Sequence, residues 1–459
     1  MSNIKDLWKA QESWEYVHQY RQSEQSFYND VITIMAFTET KAELILRFSY
    51  DYLQVNEATN YAREINYLYM ESKQRFCDYK KIYKETLANK DRLYWFDNGI
   101  YYKEGQTYEQ ITRLIQGFVQ NQETLTSGLC IKSCNALQVS KTNINPSKCE
   151  KRSCKGKVID CKFLDRSFHI CPSPQHSLRR YDFIESENKN LGNLRTCSQN
   201  KCFVESYKKW FLKCDYCICL CDEADKLSDR YFSLHKITSD ISQNKIVTGI
   251  KIVKKHKLIH LMIEQGILTS NITVFNKTWK ALDEFKITDR KIHPQKDYHT
   301  LTFDSRTIDL DHLQTDPECV VTGVGFTLID GHLKLQMRQT KFNIITGKLN
   351  KHFSKWKINK IQSSELKLES PDIPIKAPRR RNKIKTDVYI KFTNTDLQKD
   401  VAQTTVPFLD SQPVTTSSPI QGVGLYHKGV EEFGGFIAPL IYTYDYSLLI
   451  KEFDDTCPN

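Results

Sequence analysis

From Ala58 to Asn89 the apolar positions Ile65, Leu68, Tyr69, Phe76, Tyr79 and Tyr83 recur at helical spacing, with charges between them. Upstream, Val31, Met35, Leu44, Leu46 and Phe48 predict a second long helix. Thr107-Tyr-Glu-Gln110 has the form of a capping box ahead of Ile111, Leu114, Ile115 and Phe118, which predicts a third. No proline precedes Pro146. Residues 5–122 therefore read as a bundle of three or four helices, and residues 1–127 as a helical domain. Sustained a/d heptads are absent, which argues against a long coiled coil.

Beyond residue 224 the period changes to two. Val247-Thr248-Gly249 aligns without a gap on Val321-Thr322-Gly323. The same offset pairs Ile259, Leu261 and Ile263 with Leu333, Leu335 and Met337. Each copy reads as a β-hairpin with one buried face. Asp330-Gly331 supplies a hairpin turn, because glycine accepts positive φ. A weaker third copy starts at Gly422-Val423-Gly424-Leu425. Residues 225–459 are thus expected to form an antiparallel β-repeat domain with hairpins near 246–268, 320–342 and 420–445. Hairpins that cannot bury their faces alone must pack together, so a β-prism is expected, with a β-sandwich as the alternative. Pro371–Lys385 reads as a linker ending in a basic run.

Between these regions lies a cysteine block at residues 128–224. Twelve of the 15 cysteines fall there: Cys130, Cys134, Cys149, Cys154, Cys161, Cys171, Cys197, Cys202, Cys214, Cys217, Cys219 and Cys221. Such density reads as a disulfide scaffold in an oxidising compartment or as zinc sites in a reducing one. Only Cys214-Asp-Tyr-Cys217 has the zinc-knuckle form, and it runs on into Cys219 and Cys221, which favours six disulfides over metal. Cys77, Cys319 and Cys457 lie outside the block and leave an odd total. The fold class is therefore multi-domain α+β, with a disulfide-stapled middle.

The 459-residue chain carries 66 Lys+Arg against 55 Asp+Glu, a net charge of +11. The excess is confined to the cysteine block and the β region, since residues 1–127 are slightly acidic. A basic surplus of this size suits anionic surfaces such as sulfated glycans. Arg379, Arg380, Arg381, Lys383 and Lys385 are the candidate anion-binding residues. The longest apolar run, near Phe436–Ile441, is far short of the ~20 residues of a membrane-spanning helix. Met1-Ser-Asn-Ile-Lys-Asp6 is followed by no apolar stretch, so Met1 is read as standing where a signal peptide has been removed. Asn271-Ile-Thr273 and Asn276-Lys-Thr278 are N-glycosylation candidates.

Motifs that carry chemistry are scarce. There is no phosphate-binding glycine loop, GxSxG elbow or HExxH, and no basic–aromatic module for nucleic acid. His256 and His260 fall on a predicted strand, where four residues span roughly 13 Å, too far for a shared metal. Asp309-Leu-Asp311-His312 offers two carboxylates and an imidazole without a placed nucleophile. Asp396, Lys399 and Asp400 read as a turn cap. No catalytic residue, metal site or cofactor is assigned.

Several strings resemble one known family. They include Thr107-Tyr-Glu-Gln-Ile-Thr-Arg-Leu-Ile-Gln-Gly117, Cys214-Asp-Tyr-Cys-Ile-Cys-Leu-Cys-Asp-Glu223, Ser228-Asp-Arg-Tyr-Phe232, Gln403-Thr-Thr-Val-Pro-Phe-Leu-Asp410 and Phe433-Gly-Gly-Phe-Ile-Ala-Pro439. Together they resemble an uncharacterised family of secreted arthropod proteins, of insect salivary or haemolymph type, carrying a domain of unknown function. The resemblance implies secretion and disulfides, and no catalytic residue. The expected function is a secreted, non-enzymatic binding protein of an insect extracellular fluid, with an extracellular protein or glycan as ligand and no nucleic acid. The alternatives are a lectin-like binder of carbohydrate or sulfated glycan, a hydrolase using Asp309, Asp311 and His312, and an intracellular zinc protein using Cys214, Cys217, Cys219 and Cys221.

Overall fold

The computed structural model describes residues 22–452, with breaks at 58–59, 97–100, 131–132, 138–143, 145–148, 150–151 and 379–381 and at the single positions 127, 129, 188, 198, 207, 210, 271 and 362. The chain opens with two helices, α1 (Glu24–Glu57) and α2 (Ala62–Ala88), folded back on one another. Arg75 pairs with Glu39 at 2.6 Å and Ser72 donates to Glu43 at 2.8 Å, so polar groups line their contact. The root is buried at Tyr28 and Leu87, and Ser23 Oγ lies 2.6 Å from Thr443 Oγ1 at the far end of the chain.

The expected third helix is absent, and residues 1–127 are not one helical bundle. Tyr108–Glu109 and Ile115–Asn121 are strands. Thr107 Oγ1 accepts from Lys103 N, turning backward instead of capping a helix ahead. Arg113 adopts φ 51°, which interrupts helical backbone. Ile115–Asn121 is buried throughout, so its apolar residues face protein on both sides and mimic a helical period. Leu93–Trp95 likewise pairs with Phe436–Thr443, which ties the first quarter of the chain to the last.

The cysteine region holds two small sheets besides the two-stranded pair Lys208–Lys209 and Leu212–Lys213. In one, Tyr216–Asp222 lies between Ile115–Asn121 and Lys157–Asp165. In the other, Asn190–Gly192, Tyr181–Ser186, Ser167–Pro172 and Cys202–Glu205 follow in that order. All twelve block cysteines are paired: Cys130–Cys214, Cys134–Cys217, Cys149–Cys202, Cys154–Cys221, Cys161–Cys219 and Cys171–Cys197. Strand alternation puts Cys217, Cys219 and Cys221 on one face, within a buried cluster with Phe118, Leu125 and Val158. The zinc reading is thereby overturned, because each sulfur it needs is in a disulfide.

The rest of the chain is mostly β. Three long hairpins dominate: Lys245–Lys255 with Leu258–Leu268, Cys319–Ile329 with His332–Phe342, and Ile420–Gly429 with Phe436–Thr443. The turn at Asp330-Gly331 has φ of 51° and 79°, as a two-residue hairpin connection requires. Each second strand runs parallel to a three-residue strand, respectively Tyr231–Ser233, Thr307–Asp309 and Phe408–Asp410. Each first strand takes a short antiparallel partner from elsewhere, respectively Val414–Thr415, Ile237–Thr238 and His312–Gln314. One core joins Ile250, Ile259, Ile263, Val324, Leu335, Met337, Val423, Leu425 and Ile437 from all three hairpins. At ~25 cal/mol per Å² of apolar surface, this shared burial is the main stabilising contribution of the region. None of the sheets among the described residues closes into a barrel.

Candidate functional site

The Ser228–Phe232 segment joins the cysteine sheet to the first hairpin. Arg230, almost wholly buried, donates to Asp222 Oδ1 at 2.6 Å and to the carbonyls of Arg113 (2.7 Å), Leu114 (2.8 Å), Glu223 (2.7 Å) and Leu301 (3.1 Å). Five carbonyl and carboxylate partners saturate one guanidinium and fix four chain segments together. Thr112 N donates to the Asp229 carbonyl at 3.0 Å, and Asp229 N donates to Thr112 Oγ1 at 2.7 Å.

Above this joint opens a cleft of about 1040 Å³. Arg113, Arg152, Lys155, Lys226, Lys257 and Lys286 line it, with His256, Tyr231 and Ile287. Its two carboxylates are already engaged: Arg113 pairs with Asp225, and Arg180 donates to Glu223 at 2.5 Å. Burial, reinforced by the neighbouring Arg180 charge, lowers the Arg113 pKa, while Asp225 and Glu223 oppose the shift. Arg152 donates to the carbonyls of Ser177 (2.7 Å) and Arg179, which anchors its guanidinium at the rim. The ammonium groups of Lys155, Lys226 and Lys286 have no ion pair among the described residues. Unpaired cations grouped in a concave surface reinforce one another's field.

The cations of this cleft were not legible in the sequence. They come from separate segments spread over residues 113–286, and although Lys257 closes the short basic run Lys254-Lys255-His256-Lys257, the others stand singly or in pairs. The one faint signal was the acidic-basic string around Cys221 and Arg230. The basic run that was singled out lies elsewhere. Lys383 and Lys385 sit on an edge strand paired with His427–Gly429, and Lys383 bonds Glu431 at 2.9 Å. Arg379, Arg380 and Arg381 lie outside the described residues, as does Asn271. Asn276 is exposed on the strand Val274–Trp279.

Of the Asp309-Leu-Asp311-His312 group, the two carboxylates share Lys334 Nζ at 2.6 and 3.9 Å, while the imidazole bonds elsewhere. Asp309 bonds His332 Nδ1 at 2.7 Å and Lys334 Nζ at 2.6 Å. Asp311 accepts from Asn359 at 2.9 Å, and His312 Nδ1 lies 2.6 Å from the Tyr442 hydroxyl within the sheet of the third hairpin. Asp309 and Asp311 are closed off from solvent, so the three do not converge on a substrate-sized space. Burial raises the Asp311 pKa to about 6 against the lowering effect of Lys334. His256 occupies the turn of the first hairpin and His260 is buried on the following strand. Asp396 caps the short helix Leu397–Asp400 through the amides of Gln398 and Lys399.

These features define a mostly β, disulfide-stapled protein with a projecting helical hairpin, and no helix among the described residues is long and apolar enough to cross a membrane. The family described as a domain of unknown function, DUF4803, matches residues 15–263, more than half of the chain. The chain belongs to the DUF4803 family. No curated protein matches it.

Proposed function

We propose that this chain is a secreted, non-enzymatic binding protein of an arthropod extracellular fluid, saliva or haemolymph, and that its cleft takes a sulfated glycan. The observation that carries the reading is the set of six cationic side chains around one cleft whose only carboxylates are bonded to arginine. Six disulfides support an oxidising compartment. The resemblance to secreted arthropod proteins supports it too. The three hairpins, each handing a short strand to a neighbouring sheet, suit a prism-like arrangement. Prism folds that bind sugars supply the analogy for a glycan rather than an acidic protein. Asn276, exposed, is the glycan-acceptor site of this reading.

The test is retention on immobilised heparin against its desulfated form. The native chain is expected to bind the sulfated matrix and to elute as salt screens the contacts. Replacing Lys155, Lys226 and Lys286 together by Ala abolishes retention, whereas replacing Lys383 and Lys385 leaves it unchanged. Equal retention on both matrices, or a triple variant that binds as tightly as the native chain, overturns the proposal.

A further inference from the structure

α1 is apolar on the wrong side. Its face toward α2 carries Glu39 and Glu43, which bond Arg75 and Ser72. On the opposite face, Ile34, Phe37, Leu44, Phe48, Tyr52 and Val55 are 65 %, 72 %, 62 %, 72 %, 62 % and 84 % exposed. At 3.6 residues per turn these six fall within an arc of about 100°, the width of a core-facing stripe. Lys41 interrupts the stripe between Phe37 and Leu44 and Asp51 sits beside Tyr52, and those two charges conceal the seam in a plain reading of the sequence.

The two ends of the stripe also mirror one another. About a midpoint between Leu44 and Ile45, which is itself 56 % exposed, Ile34 mirrors Val55 and Phe37 mirrors Tyr52. Lys41 mirrors Phe48, and in an antiparallel pair it sits one turn from Asp51 of the other copy, twice over. Neither Lys41 nor Asp51 has an ion pair among the described residues. A two-fold interface must be self-complementary in this sense. The lengths agree as well. The stripe covers ~33 Å of helix, and the register brings the α1 tip at Glu57 opposite residue 32 of the other copy, beside its root, so the two bodies stay at opposite ends.

We infer that the occupant of this face is a second copy of the chain, docked antiparallel along α1 to make a two-fold dimer held away from the β body. The inference is independent of the cleft.

Sedimentation velocity on the full, disulfide-intact chain over roughly 1 to 100 µM tests it. The expected result is a concentration-dependent species of twice the monomer mass. Leu44→Lys, at the two-fold centre, is expected to weaken dimerisation at least ~10-fold while leaving the unfolding temperature unchanged, since the side chain is 62 % exposed within its own copy. Ile45→Cys alone is expected to form a disulfide-linked dimer, and Ile34→Cys to cross-link only when mixed with Val55→Cys. A chain that remains monomeric throughout overturns the inference and assigns the stripe to another occupant. So does a Leu44→Lys chain that dimerises as before, or an Ile34→Cys chain that links to itself.

Discussion

Arg230 and Asp222 form a buried pair, Nη1 to Oδ1 at 2.6 Å, that bolts the cysteine sheet to the first strand of the β region. The same guanidinium answers four backbone carbonyls, so removing it strands several buried acceptors and one oxygen of Asp222, whose other oxygen keeps the Phe303 amide at 2.7 Å. Arg230→Met is expected to cost about 3–5 kcal/mol, as breaking one side of a buried ion pair does. Arg230→Lys restores the charge but not the fork and recovers only part of the loss. Urea unfolding of the three chains measures both steps. A loss below ~1 kcal/mol for Arg230→Met would show that water satisfies these carbonyls.

Asp311 and His260 give opposed responses to acid. The folded-state pKa of Asp311 is raised to about 6 by burial, and its Oδ2 makes no hydrogen bond. Between the ordinary carboxylate value and pH 6 the folded chain holds a proton that the unfolded chain has lost, so stability falls as pH rises through this window. Lys334, Asp309 and Asp387 are the charges facing it. His260 is lowered to about 4 by burial, so between pH 6.5 and 4 the unfolded chain binds the extra proton and stability falls as pH drops. The two slopes offset each other near pH 5. Asp311→Asn is expected to stabilise the chain at pH 7 by on the order of 1–2 kcal/mol and to change little at pH 4. Thermal melts across pH 4–8 check this, and an equal gain at both ends would remove Asp311 as the cause.

What could be read from the sequence follows the physics of each region. α1 and α2 were legible because their apolar positions hold a 3.6 period without proline over long stretches. The strand Ile115–Asn121 was not, because a segment buried on both faces has no polar side to report its period. The strands of the first two hairpins declare themselves by alternation and by Asp330-Gly331, whereas Ile420–Gly429, buried at every position, echoes them only weakly. Disulfide formation followed from density, but the pairing did not. Cys217, Cys219 and Cys221 share a face, yet their partners Cys134, Cys161 and Cys154 come in no sequence order. The cleft was invisible for a related reason. Its cations are brought together only by the Arg230 joint, and no local pattern encodes a joint between sheets.

The disulfides differ in the loops they close. Cys130–Cys214 spans 84 residues and Cys171–Cys197 spans 26. On the chain-entropy account the longer loop stabilises more by about 1 kcal/mol, out of ~2–5 kcal/mol for either. Replacing each pair by alanines and comparing guanidinium midpoints gives the order directly. The reverse order would mean that packing around Cys171, rather than the restricted unfolded chain, sets the effect.

Cys319 is the free cysteine among the described residues, and it is buried at the start of the second long hairpin. Its carbonyl accepts from Thr315 Oγ1 at 3.0 Å and from Gln421 Nε2 at 3.2 Å, so the local backbone is held on two sides. Burial, together with the Asp316 charge, raises the thiol pKa, which lowers its thiolate fraction and hence its reactivity. A soluble alkylating reagent is therefore expected to leave Cys319 untouched in the native chain. Denaturant without reductant should then make the Cys319 peptide reactive, while Cys77 and the twelve block cysteines stay silent in their disulfides. Rapid labelling of Cys319 in the native state would show that the hairpin end opens readily. Labelling at Cys214 or Cys217 before reduction would contradict the disulfide set on which the oxidising compartment rests.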